Sequence, residues 1–204
     1  MYKKIIQITT LLIGSAFFTA NAASISFGPS TQNIGAGNIA QVDVIVNGLE
    51  SGGLDEIVAA YDLSVSFDSS ILNFNSLSVD ENQFDFGLGV PPLEHSFDSS
   101  VAGEVSFNLL SWEFDFDLQL FQGDSLTLAT LAFNTVGTGS SALNFSFIDI
   151  TGLNFSPLLL DTIQSGNVTV TGATNVPEPS VIILLSMGVL GIFGFNQKKV
   201  KSLG

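Results

Sequence analysis

Apolar residues fall on every second position in segment after segment of this chain, and that period constrains the fold more than any other feature. Val42, Val44 and Val46 share one side of Gln41 to Val46. Tyr61, Leu63, Val65 and Phe67 repeat the pattern, as do Leu72, Phe74 and, after a break, Leu77 and Val79. The longest run is Trp112, Phe114, Phe116, Leu118 and Leu120, with Glu113, Asp115, Asp117 and Gln119 between them. An amphipathic helix would place apolar residues three and four apart instead. Each segment therefore predicts a half-buried antiparallel strand, apolar face inward and polar face in water. Ser24–Phe27, Glu104–Leu109, Ser125–Asn134, Ala142–Ile148 and Gly166–Thr171 are further strand candidates. The apolar phase slips between Leu128 and Leu131, which predicts a bulge there. Turn signals separate the strands: Gly28-Pro29-Ser30, Asn47-Gly48, Gly52-Gly53, Asp68-Ser69-Ser70, Pro91-Pro92 and Gly137-Thr138-Gly139. About nine short strands without a convincing helix predict an all-β fold, an antiparallel β-sandwich of jelly-roll-like topology.

The charges narrow the function. The 204 residues include 5 Lys or Arg against 19 Asp or Glu, and every base is at an end: Lys3, Lys4, Lys198, Lys199 and Lys201. A body without Lys or Arg has no phosphate clamp and no basic patch for nucleic acid. With no Cys and only His95, thiol chemistry and ordinary zinc sites are excluded as well.

The two ends read as targeting segments. Residues 1–22 have a basic start, an apolar stretch from Ile5 to Phe18, and the small-x-small pattern Ala20-Asn21-Ala22. They predict a secretory signal peptide cleaved by signal peptidase before Ala23, with a retained anchor as the alternative. At the other end, residues 173–180 form a linker containing Val176-Pro177-Glu178-Pro179-Ser180. A mostly apolar helix over 181–197 and a basic tail over 198–204 follow. The uncharged run Val181–Phe195 reaches about 22 Å as a helix, so the span sits near the lower limit for crossing a membrane. Lysines after it predict a cytoplasmic C-terminus with the body outside.

That order of parts resembles the PEP-CTERM sorting signal of Gram-negative bacteria. The resemblance implies that an integral-membrane exosortase recognises Pro177, Glu178 and Pro179 and processes the precursor. It also implies release to the cell surface or to an extracellular polysaccharide or biofilm matrix. The tail departs from the family pattern in carrying lysines where arginines are usual.

The body, residues 23–172, resembles a cohesin-like domain of the wider carbohydrate-binding-module-like sandwich group. The resemblance is carried by Val42-Asp43-Val44-Ile45-Val46, the stretch from Ala59 through Tyr61 and Phe67 to Leu72, Leu128 to Phe133, and Gly166 to Val170. It implies the fold; the binding of dockerin modules or polysaccharide by members of that group does not transfer without contact residues.

Chemistry has few candidates. Of the 19 acids only Glu178 lies outside the body, which thus carries 18 carboxylates and no base. On a strand, Glu113, Asp115 and Asp117 would project from one face about 6.7 Å apart, with Asp124 in the next turn. Such a row suits a shared Ca²⁺, though a solvated outer face is the plainer reading, because no D-x-D-x-D-G loop occurs. Asp80, Glu81 and Asp85 form a weaker acidic group. His95 reads as an exposed loop residue, and no G-x-S-x-G elbow occurs. Trp112, Tyr61, Phe114 and Phe116 are candidates for a sugar-stacking platform, but their phase predicts the core. No cofactor is required. The sequence thus points to a non-enzymatic exported protein that associates with extracellular polysaccharide. A cohesin-like module for a specific protein partner is the alternative, and a carboxylate-dependent glycan hydrolase the remote third.

Overall fold

The computed structural model describes residues 23–50, 56–88 and 93–172. The predicted signal peptide with Ala20 and Ala22, the Pro177-Glu178-Pro179 segment, the apolar helix and the basic tail lie outside the described residues. So do the turn signals Gly52-Gly53 and Pro91-Pro92.

Two sheets pack face to face. In chain order the elements are β1 (Ala23–Gly28), β2 (Thr31–Gly35), β3 (Ile39–Asn47), β4 (Ala60–Ser66), β5 (Leu72–Ser78), β6 (Glu94–Asp98) and β7 (Glu104–Leu110). A helix, α1 (Asp115–Phe121), precedes β8 (Ser125–Thr135), β9 (Gly139–Thr151), β10 (Leu160–Ile163) and β11 (Gly166–Thr171). One sheet has the order β10-β1-β3-β8-β5 and the other β2-β11-β9-β4-β7-β6. Burial alternates along β1, β3 and β7 as the period demands, and the inward residues join one core. Phe27 stacks on Phe145 with ring centres 4.4 Å apart, and Phe67 meets Phe133 edge-on at 5.0 Å. Full burial of rings such as Phe107 and Phe133 stabilises the sandwich by about 2–3 kcal/mol each.

Both phase breaks in the sequence are irregular pairings. The register of β3 on β8 shifts between Val44 and Ile45, where Ala129 and Thr127 are the partners and Leu128 is the extra residue. The register of β5 on β8 shifts between Phe74 and Ser76.

Four expectations are corrected. The alternating run Trp112–Leu120 is not a strand: Asp115–Phe121 is helical. Strands β2, β6 and β10, which lack a run of alternating apolar residues, join the eight expected strands that remain, giving eleven among the described residues. The sandwich is not wholly antiparallel, because β1 pairs with β10 and β11 with β2 in parallel. The first two strands and the last two thus run side by side from one sheet into the other, bridged by the Gln164 amide donating to Ile25 and the Asn167 amide donating to Ser30. Finally, His95 lies on the edge strand β6, not in a loop.

The strands define two poles. Ala23, Asn47, Ala60, Leu110 and Thr151 lie at one end; Gly35, Ser66, Gly139 and Thr171 lie at the other. β9, with 13 residues, spans about 40 Å between them.

Candidate functional site

At the first pole, residues 111–122 leave β7 and fold over the end of the sandwich. The Ser111 hydroxyl donates to the Phe84 carbonyl at 2.5 Å. Glu113 is only 7% exposed, and its Oε1 accepts from the Phe86 amide at 2.8 Å. Its Oε2 is buried without a hydrogen-bond partner. Leu118 packs with Ile57 and Ala59 in a small second core, flanked by Phe86 and Leu153. A seven-residue helix is too short to persist alone, so this packing holds α1 in place.

The helix turns its other apolar residues outward. Phe114 is 70% exposed, Phe116 71% and Trp112 44%, with Leu120 and Phe121 exposed beside them. Phe155, 82% exposed, joins them from the short 3-10 turn Leu153–Phe155. Both Asn154 and Phe155 adopt left-handed backbone, with φ of 54° and 57°. For a bulky residue that conformation costs roughly 1–2 kcal/mol. The Asn154 amide donates to Asp115 Oδ2 at 2.8 Å, tying this turn to α1. Trp112, Glu113, Phe114, Asp115, Phe116 and Phe155 line an open recess of about 530 Å³.

The sequence therefore named three of the four rings here but placed them on the wrong side. Trp112, Phe114 and Phe116 are at the surface, not in the core. Tyr61 is not with them: it is 3% exposed, and its hydroxyl donates to the Leu128 carbonyl at 2.7 Å. Phe155 was missed; its one signal is a lone aromatic among turn formers, Gly152-Leu153-Asn154-Phe155-Ser156-Pro157.

The acids weighed as a shared Ca²⁺ site, and read more plainly as a solvated face, do not form a row on one strand face. Glu113 lies buried against Phe86, while Asp115 and Asp117 start α1 and Asp115 is engaged by Asn154. Asp124 is exposed, and its Oδ1 accepts from the Glu50 amide at 3.1 Å. Among the described residues no three acidic or histidine side chains are grouped to hold a metal ion. The second acidic group serves its own loop. Asp80 accepts from Gln83 Nε2 at 2.7 Å and Asn82 Nδ2 at 3.1 Å, and these bonds hold its pKa below the usual carboxylate value. Glu81 pairs with His95 Nε2 at 3.4 Å, and Asp85 accepts from the Gly87 amide. His95 has an acidic neighbour but, among the described residues, no serine hydroxyl in a relay with it; Ser96 donates to Asn108.

The recess and the exit of the chain are at opposite ends. Ala59 and Ser111, at the recess, are joined by the Ser111 amide donating to the Ala59 carbonyl at 2.9 Å. Thr171, the last residue of β11, bonds to Ala36 at the far pole.

Residues 175–199 match the PEP-CTERM protein-sorting motif. The chain thus carries the sorting signal of an exported protein that passes through a membrane. No curated protein matches the sequence. Among solved structures, the seventh ScaB type I cohesin from Pseudobacteroides cellulosolvens is similar at 16% identity and a TM-score of 0.57, covering 76% of this chain and 96% of that one. The sixth cohesin of scaffoldin B from Acetivibrio cellulolyticus, solved in complex with a Cel5 dockerin, is similar at 16% identity and a TM-score of 0.55, covering 74% and 99%. A non-cellulosomal cohesin from the archaeon Archaeoglobus fulgidus is similar at 13% identity and a TM-score of 0.53, covering 74% and 91%. At such identities the likeness establishes a cohesin-like β-sandwich fold and nothing finer.

Proposed function

We propose that this chain is an exported, non-catalytic binding module that engages a protein partner through the aromatic pole. One observation carries the reading: Phe114, Phe116 and Phe155 keep more than two-thirds of their surface in water around one recess. Isolated apolar side chains at a surface need no explanation, but a contiguous patch marks an interaction site. Aromatic residues are also the usual anchors of protein interfaces. That some cohesins are solved with dockerins agrees with a protein partner.

In this reading signal peptidase removes residues 1–22 before Ala23, and an exosortase recognises Pro177, Glu178 and Pro179. The chain leaves the sandwich at the pole opposite the aromatic recess, so the linker toward 181–197 does not start beside the rings. The intact mass of the exported protein tests this part. Loss of residues 1–22 with a cut near Pro177–Pro179 supports it, whereas a mature mass running through Lys201 to Gly204 refutes sorting.

A second reading, association with extracellular polysaccharide, is favoured by Trp112 sharing the recess lining with the carboxylates of Glu113 and Asp115. A flat indole face packs on a pyranose, and carboxylates accept from sugar hydroxyls. Adding labelled exported protein back to cells that lack it separates the two. Saturable binding abolished by protease treatment of the cells supports a protein partner. Binding abolished only by glycan digestion supports polysaccharide.

A further inference from the structure

We infer that the recess at the aromatic pole takes a cationic side chain, the guanidinium of an arginine or the ammonium of a lysine, presented by the protein partner. This rests on the binding-module reading above and names the chemistry of its ligand.

Three features of the recess converge on a cation. The first is the rings. Trp112, Phe114, Phe116 and Phe155 all line the open recess and stay exposed, and the face of an aromatic ring carries the negative end of its quadrupole. The second is Glu113. Its Oε1 is held by the Phe86 amide, but Oε2 is buried with no donor. A carboxylate oxygen shielded from water without a donor is costly, and an approaching cation relieves that cost. The third is the donor balance of the lining. Glu113 and Asp115 are acceptors, and the Ser111 hydroxyl already donates to Phe84. The indole N–H of Trp112 is the one side-chain donor left. A sugar hydroxyl both donates and accepts, and a binding site for sugars needs both kinds of group. Guanidinium and ammonium groups only donate, which matches a lining rich in acceptors.

Charge at longer range acts the same way. The body has 18 carboxylates and no Lys or Arg, so no cationic side chain within it can fill the recess. An acidic or neutral partner surface meets repulsion or indifference at this pole, and a basic one is drawn to it.

The chain supplies its own probe, since Trp112 is its single tryptophan. The exported protein is titrated with N-acetyl-Gly-Arg-Gly-amide while Trp112 fluorescence is followed. The control is the same peptide with citrulline, which keeps the shape of arginine and loses the charge. A neutral β-linked glucose hexasaccharide is the third ligand. The expected result is a saturable change with the arginine peptide and binding of the citrulline peptide weaker by roughly fivefold or more. Glu113→Gln keeps the acceptor for Phe86 and removes the charge, and Asp115→Asn does the same toward Asn154. Each should bring arginine and citrulline affinities together, with the urea midpoint measured beside it to show that the variant is folded. Phe155→Ser should weaken both peptides.

Equal binding of the two peptides overturns the cation inference and leaves a protein-binding pole standing. A response to the hexasaccharide alone overturns both the cation and the protein-partner reading, and assigns the rings to sugar. No response to any ligand overturns the recess as a binding site.

Discussion

The side-chain amide of Gln122 pairs with both backbone groups of Val58, as a neighbouring strand would. Its Oε1 accepts from the Val58 amide at 2.9 Å, and its Nε2 donates to the Val58 carbonyl at 2.9 Å and to the Gln83 carbonyl at 3.1 Å. One buried residue after α1 thus joins the 56–59 segment to the loop after β5. The aromatic pole hangs from this junction, because α1 ends where Gln122 begins.

Gln122→Ala should therefore destabilise the protein by about 2–4 kcal/mol, since it strands two buried backbone groups on Val58. Gln122→Glu should do no better, as a carboxylate has no proton for the Val58 and Gln83 carbonyls. Urea unfolding measures both. A loss below about 0.5 kcal/mol for the alanine variant would mean that water replaces the amide without cost.

Tyr61 gives a prediction at the alkaline end. Its hydroxyl is sealed in the core against the carbonyl of Leu128, the residue that bulges out of the β3–β8 ladder. Burial pushes its pKa well above the ordinary tyrosine value. The unfolded chain ionises first, so the stability this group contributes is intact below pH of about 10 and is lost as pH rises beyond it. The chain has two tyrosines, and Tyr2 lies in the segment proposed above to be removed, which leaves Tyr61 alone in the processed protein. Tyrosinate absorbance of the exported protein should appear together with unfolding and not before it. Tyr61→Phe should cost about 1 kcal/mol at neutral pH through the lost hydrogen bond.

Why these elements were legible, and the pole was not, follows from what each residue packs against. β3 and β4 cover the sandwich core on one face only, so Val42, Val44, Val46, Leu63 and Val65 announce their strands. Even the Leu128 bulge leaves a mark, because an extra residue shifts the phase. The edge strands β2 and β10 are held by parallel backbone pairing, and Thr31–Gly35 and Leu160–Ile163 show little periodicity because they bury little. The run Trp112–Leu120 misleads for the opposite reason. Its alternation satisfies a strand, yet no sheet edge takes it; Leu118 alone has an apolar slot, and Gln122 fixes the exit. A sequence records which residues are apolar, but it does not record which of them the fold leaves in water.

Acid should expose the role of Asp80. Its carboxylate accepts first from Gln83 and then from Asn82, capping the turn Glu81–Gln83 from which Glu81 reaches His95. Those bonds depress its folded pKa. The contribution is then fully present above the unfolded aspartate value of about 3.9 and is lost as pH falls through the lower folded value. Asp80→Ala should melt at a lower temperature than the native protein at pH 7. The gap should close as pH drops below about 4. A gap that stays constant down to pH 2 would mean that the side chain acts through packing rather than through its charge.

Phe155 separates a residue kept for the fold from one kept for the surface. A phenylalanine buried in the core costs roughly 3–5 kcal/mol when truncated. Phe155 is 82% exposed and sits in left-handed backbone, so its ring has little packing to lose and its conformation is already strained. Asparagine tolerates that backbone better than any bulky side chain, without the entropy cost of glycine. Phe155→Asn should therefore leave stability unchanged or raise it by up to about 1 kcal/mol. The same substitution should weaken binding to cells that lack the protein. If the variant instead unfolds at much lower urea, the ring is structural and the exposed pole loses its main anchor. Unchanged stability with unchanged binding would move the contact surface away from this pole.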